Sequence, residues 1–417
     1  MKSTEEKIIH QGNSVITTEI LPDYSHPVII KKPSKHDSSK RDFRSLEREY
    51  EMTRSLDSVE GVRKTLGKKQ IEDQQVLIME YIDGETLRDH ISRNKLDIRS
   101  ILKIAIDLAR ILGKIHQRNI IHLNINSKNI LIGKKRREVH LIDLGSASSI
   151  DRDGKLKVRP DQPLGNLPYI SPEQTGRLNH AVDERSDLYS LGVVLYELMT
   201  GQLPFDSKDP MEIVHHHIAR VPDLPSEVTS EIPKLLSVII LKLLSKNAEE
   251  RYQSAAGLQN DLEKCLHSLS PEGVIKDFPL GETDYASRLR YPQKLYGRDR
   301  ELKELKSAFE SACRGTTSIV SVGGYSGIGK TVLVEEIQSL VSEKSGYFIQ
   351  GKFDQLVTTP YAGITQAFAQ LVSQILTQTE TQLAAWRSTI LEAVGPNGRV
   401  LTDVVPVWIW SLAHNRP

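Results

Sequence analysis

Short, uninterrupted apolar runs punctuate the start of the chain. Val28-Ile29-Ile30 and Val76-Leu77-Ile78-Met79 have strand length, the pattern of strands buried or half-buried in a sheet. Between them Leu46, Tyr50, Thr53 and Leu56 recur at helical spacing and predict one helix with a single apolar face. Over 99–117 the series Ile101, Ile104, Leu108, Leu112 predicts a long amphipathic helix. Two short strands are expected at 129–132 and 139–142, joined by the basic, solvated hairpin tip Lys134-Lys135-Arg136-Arg137. Beyond about residue 172 the pattern turns helical, with helices expected at 186–200, 211–219, 232–245 and 254–266. Residues 268–295 carry Pro and Gly without sustained periodicity and read as a linker. A new pattern starts at Tyr296: a helix, a strand at 318–322, a glycine loop and a helix from Thr331, the opening of an α/β unit.

Composition narrows the class. The 417 residues allow two to three domains; 38% are hydrophobic and 26% charged, ordinary values for a globular protein. Lys+Arg is 55 against Asp+Glu 54, so no global basic surface points to nucleic acid or an anionic membrane. Cys265 and Cys313 are too few and too isolated for a disulfide framework or a zinc site. The polar start Met1-Lys2-Ser3-Thr4 lacks the apolar stretch of a signal peptide, and no run has the length of a membrane span. The expectation is a cytoplasmic protein.

One ordered constellation carries chemistry. The segment from Ile120 to Leu131 contains His122-Leu123-Asn124-Ile125-Asn126-Ser127-Lys128-Asn129. Leu141-Ile142-Asp143-Leu144-Gly145 follows, then Ser171-Pro172-Glu173, Asp187 and Arg251. Their order resembles a protein kinase catalytic domain over roughly residues 8–268. The resemblance implies an α+β fold of two lobes. It implies that Lys31, with Lys32 as competitor, holds nucleotide phosphates and that Glu49 is its helix partner. Glu80 and Ile82 in the hinge would read adenine, and Asn129 and Asp143 would hold Mg2+ on ATP. Glu173 and Arg251 would form a structural ion pair, with Asp187 as an anchor.

Three positions depart from that pattern. The family's catalytic base is replaced by Asn124, and a carboxamide cannot take the substrate hydroxyl's proton. The phosphate-neutralising lysine is replaced by Asn126, and the threonine expected to contact both is Asn166. Between Ile8 and Ile20 there is one glycine, Gly12, so the phosphate-covering loop is expected to be loose. Leu123 replaces the arginine that would receive an activating phosphate. His215-His216-His217 does not read as a metal site, because consecutive helical side chains point about 100° apart.

A second constellation is Gly324-Tyr325-Ser326-Gly327-Ile328-Gly329-Lys330-Thr331, the complete Walker A pattern. Its glycines free backbone amides to cradle phosphates, Lys330 reaches the β/γ oxygens and Thr331 would ligate Mg2+. Upstream, Gly297-Arg298-Asp299-Arg300-Glu301 resembles the box that opens AAA-like signalling ATPases of the STAND type. No strand ending in paired acidic residues follows Lys330, so a truncated ATPase domain that hydrolyses poorly is expected.

The chain as a whole resembles bacterial, especially cyanobacterial, multi-sensor Ser/Thr kinases. It divides as a kinase-like domain over 1–268, a linker over 269–295 and a partial α/β P-loop NTPase domain over 296–417. Three readings remain open: a nucleotide-binding pseudokinase or weak kinase in signalling, an active Ser/Thr protein kinase, and a P-loop signalling ATPase. All three imply nucleotide and protein partners or substrates, with no nucleic acid and no membrane span.

Overall fold

The computed structural model describes residues 7–11, 14–33, 40–71, 74–134, 138–150, 156, 166–177, 181–286, 297–325, 327–344, 346–353, 361–375 and 380–394. Gly12, the middle and end of the basic hairpin tip, and the last 23 residues from 395 to 417 lie outside them. Two compact units are present. The first comprises Met1–Gly176, His180–Phe205 and Pro222–Lys294; the second comprises Arg177–Asn179, Asp206–Val221 and Leu295–Pro417.

The first unit begins with strands β1 (Lys7–Gln11), β2 (Ser14–Glu19) and β3 (Val28–Pro33), then helix α1 (Lys40–Ser55) and strands β4 (Thr65–Ile71) and β5 (Gln74–Glu80). The five strands form one antiparallel sheet in the order β1-β2-β3-β5-β4. Alternation along β3 and β5 explains why their runs are apolar without a break. Val28, Ile30, Val76 and Ile78 pack on one face with Leu21 and Tyr24. Ile29, Leu77 and Met79 pack on the other, against Leu46 and Tyr50 of α1. Both faces are covered, so neither can be polar.

The chain continues through β6 (Gly84–Thr86), α2 (Leu87–Arg93), α3 (Ile98–His116), β7 (Ile120–Ile121), β8 (Ile130–Gly133), β9 (Val139–Leu141) and β10 (Ser148–Ser149). Strands β6, β8 and β9 form a small sheet, and β7 pairs with β10. The helical part of this unit is α3, α4 (Glu184–Thr200), α6 (Pro225–Val228), α7 (Lys234–Leu243) and α8 (Ala255–Ser268), with α5 (Pro210–Ala219) grouped in the second unit. Asp97, Asp183 and Ser254 cap α3, α4 and α8 by accepting a backbone N–H of the first turn, at 2.6, 2.9 and 3.0 Å. The core packs Ile101, Leu108 and Leu112 of α3 against Leu191 and Leu195 of α4, Ile240 of α7 and Leu258 of α8. Gly192 allows α4 and α7 to approach closely: a Cβ there would lie 2.7 Å from Leu243 Cβ. Helix α2 was not anticipated by the hydrophobic pattern. It is a seven-residue helix started by Thr86, whose hydroxyl accepts from the Asp89 N–H at 3.1 Å.

The second unit contains α5, α9 (Asp299–Cys313), α10 (Lys330–Glu335), α11 (Gln338–Glu343), α12 (Ala362–Ile375) and α13 (Glu380–Val394). The strand expected at 318–322 does not form. That stretch is irregular, with Ile319 96% and Val320 49% exposed. Among the described residues of this unit no second extended segment pairs with it, and a lone strand leaves its backbone ladder and apolar side chains without partners.

The Glu173–Arg251 pair is buried. Arg251 donates two bonds to the carboxylate at 2.8 and 2.9 Å, and Ser186 Oγ adds a third at 2.7 Å. Burial alone would raise the Glu173 carboxyl, but the guanidinium and these donors pull it down from 4.5 to about 2. Its folded-state pKa is depressed, so the pair contributes stability above pH 4.5 that is lost as pH falls through that window toward 2. Arg251→Met, which strands the buried carboxylate, is expected to cost ~3–5 kcal/mol at neutral pH. Denaturant titration at pH 7 and at pH 3.5 checks this; a loss that does not shrink at the lower pH would refute the assignment.

Candidate functional site

The site is assembled where β3, α1 and the loops around β8 and β9 converge. Register fixes Lys31 of β3 opposite Ile16 of β2 and Leu77 of β5. Its ammonium donates to Glu49 Oε2 at 2.7 Å and to Asp143 Oδ1 at 2.8 Å. The choice between the two adjacent lysines is thereby made: Lys31 carries the pair. Burial disfavours its charge, but the two carboxylates more than offset that and hold the ammonium protonated. Glu49, fully buried on α1 and facing the Asp143 charge, has its carboxyl pushed up despite Lys31. Burial pushes Asp143 the other way from the Lys31 charge and hydrogen bond, which win and keep it ionised.

Arg63, between α1 and β4, was not anticipated. Burial lowers its guanidinium to about 10, against the opposing pull of Glu49, Glu80 and Asp143. Arg63 is a second buried cation near these carboxylates, acting on them through space rather than through a hydrogen bond. No periodicity or motif marks it, because its role depends on the loop after α1 meeting Leu141 through the Arg63 N–H at 3.1 Å.

The catalytic-loop segment is held by buried Asp187 of α4. Its carboxylate accepts the backbone N–H of His122 and of Leu123, each at 2.8 Å, and lies 2.9 Å from His116 Nε2. Leu123 is thereby kept at φ 60°, and Asp143 sits at φ 66°, both in the left-handed region that branched or bulky residues seldom adopt. Burial lowers the His122 imidazole, whose Nε2 lies 3.2 Å from the Ile142 carbonyl.

The three asparagines of the loop form one web. Asn126 Oδ1 accepts the N–H of Lys128 and of Asn129 at 3.0 and 3.2 Å. Its amide donates to Asn124 Oδ1 at 3.1 Å, and Asn129 Nδ2 donates to the Asn124 carbonyl at 2.9 Å. Asn124 Nδ2 then donates to Asp143 Oδ2 at 3.1 Å. Asn126 is 3% exposed, so it is spent on the loop backbone rather than facing a cleft. Asn166 is not part of this web. It precedes the short turn Leu167–Tyr169, and among the described residues no hydrogen bond joins its side chain to Asn124 or Asn126. A residue there is placed by its own turn, not by the asparagine web.

Glu80 ends β5 with an exposed side chain, and Ile82 is half-buried just beyond. The Glu80 N–H is donated to the Lys64 carbonyl at 3.0 Å. The donor set of Asp143 and Asn129 consists of oxygens, the chemistry of a hard cation such as Mg2+. In the second unit, Gly327 and Gly329 have φ of 82° and 90°, and Gly329 starts α10. Lys330 Nζ folds back on the Gly324 and Tyr325 carbonyls at 2.8 and 2.7 Å, with Thr331 next on the helix.

The protein kinase domain family matches residues 4–262, well over half of the chain. The chain belongs to the protein kinase domain family. The AAA ATPase domain family matches residues 294–408. The chain is 39% identical over 258 residues to hybrid signal transduction histidine kinase G of Dictyostelium discoideum, covering 57% of this chain and 8% of that protein. It is 35% identical over 197 residues to serine/threonine-protein kinase PknB of Mycolicibacterium smegmatis, covering 47% of this chain and 31% of that one. The chain thus spans less than a third of the length of these relatives. A solved structure of the Mycobacterium tuberculosis PknI kinase domain aligns with a TM-score of 0.47 at 19% identity, over 62% of this chain and 92% of that one. No helix among the described residues is long and apolar enough to cross a membrane.

The shared lysine of the protein kinase domain generates a stability prediction. Lys31→Met leaves Glu49 and Asp143 facing each other with one cation fewer, and is expected to cost ~3–5 kcal/mol at pH 7. The remaining carboxylates repel, so one is raised above its unfolded value and its penalty is relieved as pH falls. The gap to the unaltered chain should therefore narrow between pH 7 and pH 5, read by urea titration. A gap that widens would show that Lys31 is not the common partner.

Proposed function

We propose that the chain is an ATP-binding, Ser/Thr protein kinase-like signalling protein whose catalytic loop is degenerate, a pseudokinase or a weak kinase. The observation that carries this reading is the intact Lys31–Glu49–Asp143 constellation joined to a carboxamide, Asn124, at the position of the base. The nucleotide-binding half of the site is assembled, and the proton-accepting half is not. The reading assigns the kinase-like domain to residues 1–268, the linker to 269–295 and the ATPase-domain portion to 296–417, in a cytoplasmic protein with protein partners.

In this reading Lys31, held by Glu49, binds the nucleotide phosphates, and the Glu80 carbonyl and Ile82 amide orient the base. Asn129 and Asp143 would hold Mg2+, which when bound neutralises phosphate charge. Asn124 orients a hydroxyl by hydrogen bonding but does not accept its proton, and Asn126 brings no cation to the transferring group. Absence of general-base and charge-stabilising groups costs on the order of 10²–10⁴ in rate each, non-additively. An active Ser/Thr kinase remains the alternative chemistry on the same fold. A second nucleotide site, at Gly324, Gly327, Gly329, Lys330 and Thr331, is favoured by the Lys330 ammonium lying over the loop carbonyls where phosphate oxygens would be received.

The test uses the full chain carrying Lys330→Ala, so that one nucleotide site is read at a time. Calorimetry with ATP should show binding that Lys31→Met weakens by ~10-fold or more. Labelled phosphate transfer to a generic basic protein should stay near background for the unaltered loop and for Asn124→Asp alone. The double change Asn124→Asp with Asn126→Lys should exceed the sum of the singles, because the two side chains touch at 3.1 Å. Robust transfer by the unaltered chain, abolished by Asp143→Ala, would return it to the active kinases.

A further inference from the structure

The direction of the Asn124 amide is dictated by the loop behind it. Two backbone N–H groups, of Lys128 and Asn129, claim Asn126 Oδ1, so Asn126 must present its amide to Asn124. Asn124 Oδ1 is thereby occupied as an acceptor, and its Nδ2 is left to point at Asp143 Oδ2, 3.1 Å away. A carboxylate cannot donate, so this polarity is the sole one that satisfies every partner.

Asp143 consequently has two side-chain donors supplied by the protein, Lys31 Nζ on one oxygen and Asn124 Nδ2 on the other. When nucleotide phosphates draw Lys31 away, the Asn124 donor remains. A cation approaching Asp143 must compete with it for that oxygen.

We infer that Asn124 occupies the Asp143 oxygen a divalent cation would otherwise take, so that this site binds nucleotide with little dependence on divalent cations. The inference rests on the nucleotide-binding reading of the preceding section. An aspartate at position 124 would reverse the arrangement. It would set two carboxylates ~3 Å apart, lose the bond to Asp143 and make the site require a cation.

The experiment measures ATP binding by calorimetry to the full chain carrying Lys330→Ala, once in excess EDTA and once in millimolar Mg2+. Affinities that agree within ~3-fold are expected, whereas Asn124→Asp should bind ~10-fold or more weakly in EDTA than in Mg2+. Asn124→Ala removes the donor without adding charge and should fall between the two, which preserves the test if the aspartate variant folds poorly. As a readout without nucleotide, Mg2+ should raise the melting temperature of Asn124→Asp and leave that of the parent unchanged. Parent binding that appears only with Mg2+ would overturn the inference while leaving nucleotide binding standing. Absence of ATP binding under both conditions would remove the nucleotide-binding reading and this inference together.

Discussion

Everything at this site depends on one ammonium shared by two carboxylates. Lys31 lies 2.7 Å from Glu49 and 2.8 Å from Asp143, and it reaches them from a strand, a helix and a loop far apart in sequence. Removing the Lys31 and Glu49 charges from water is costly, and the arrangement survives because the cation lies between the two anions. The constraint propagates outward. The sheet register must point Lys31 inward, α1 must present Glu49, and the loop after β9 must hold Asp143 in a left-handed conformation. If any element shifts by an ångström or two, a buried charge loses its partner, so the electrostatics select one relative placement of three elements that hydrophobic packing alone would allow to slide.

The left-handed backbone at Leu123 and Asp143 shows how that placement is enforced. Each such residue costs of order 1–3 kcal/mol, an expense the loop could not sustain by itself. Asp187 offsets it from within α4 by accepting two consecutive backbone N–H groups at 2.8 Å, in a site where its side chain is 1% exposed. Gln174 closes the other side by donating to the Leu123 carbonyl at 3.0 Å. The helical core is therefore the frame against which the loop backbone is bent, rather than a separate body beneath it. This is why a core helix carries an aspartate where periodicity alone would place an apolar side chain.

Much of this was legible in the residues, and the failures have physical causes. The apolar runs of β3 and β5 and the periodicity of α3 announce themselves because each is buried along its length. Lys31, Glu49, Asn129 and Asp143 were readable from motif order, and the structure brings the charged three together. Arg63 was invisible, since nothing local distinguishes a buried arginine near the site from a surface one. At Asn166 the residues predict no partner, and the structure shows the short turn Leu167–Tyr169 held by backbone hydrogen bonds. The strand at 318–322 was read from the pattern of an α/β unit, but strands are cooperative and a β-prone segment without a partner stays irregular.

The loop's chemistry is best understood as a paired exchange rather than as two losses. An acid at 124 and a base at 126 would bring one negative and one positive charge; two asparagines bring neither, so the net charge facing Lys31, Glu49, Asp143 and Arg63 is unchanged. A single exchange would have left either an unbalanced carboxylate beside Asp143 or an unbalanced cation in the loop. The neutral pair also adds what charged groups could not: each carboxamide both donates and accepts, so Asn126 can bind two backbone amides and pass a donor to Asn124, which passes one to Asp143. Direction is conserved along that relay, from backbone N–H at one end to a carboxylate at the other. In the proposed reading, the group missing is the proton acceptor on which chemistry would depend, and the group kept in place is a carboxylate of the binding half. A loop built this way would separate holding a nucleotide from using it, through hydrogen-bond polarity.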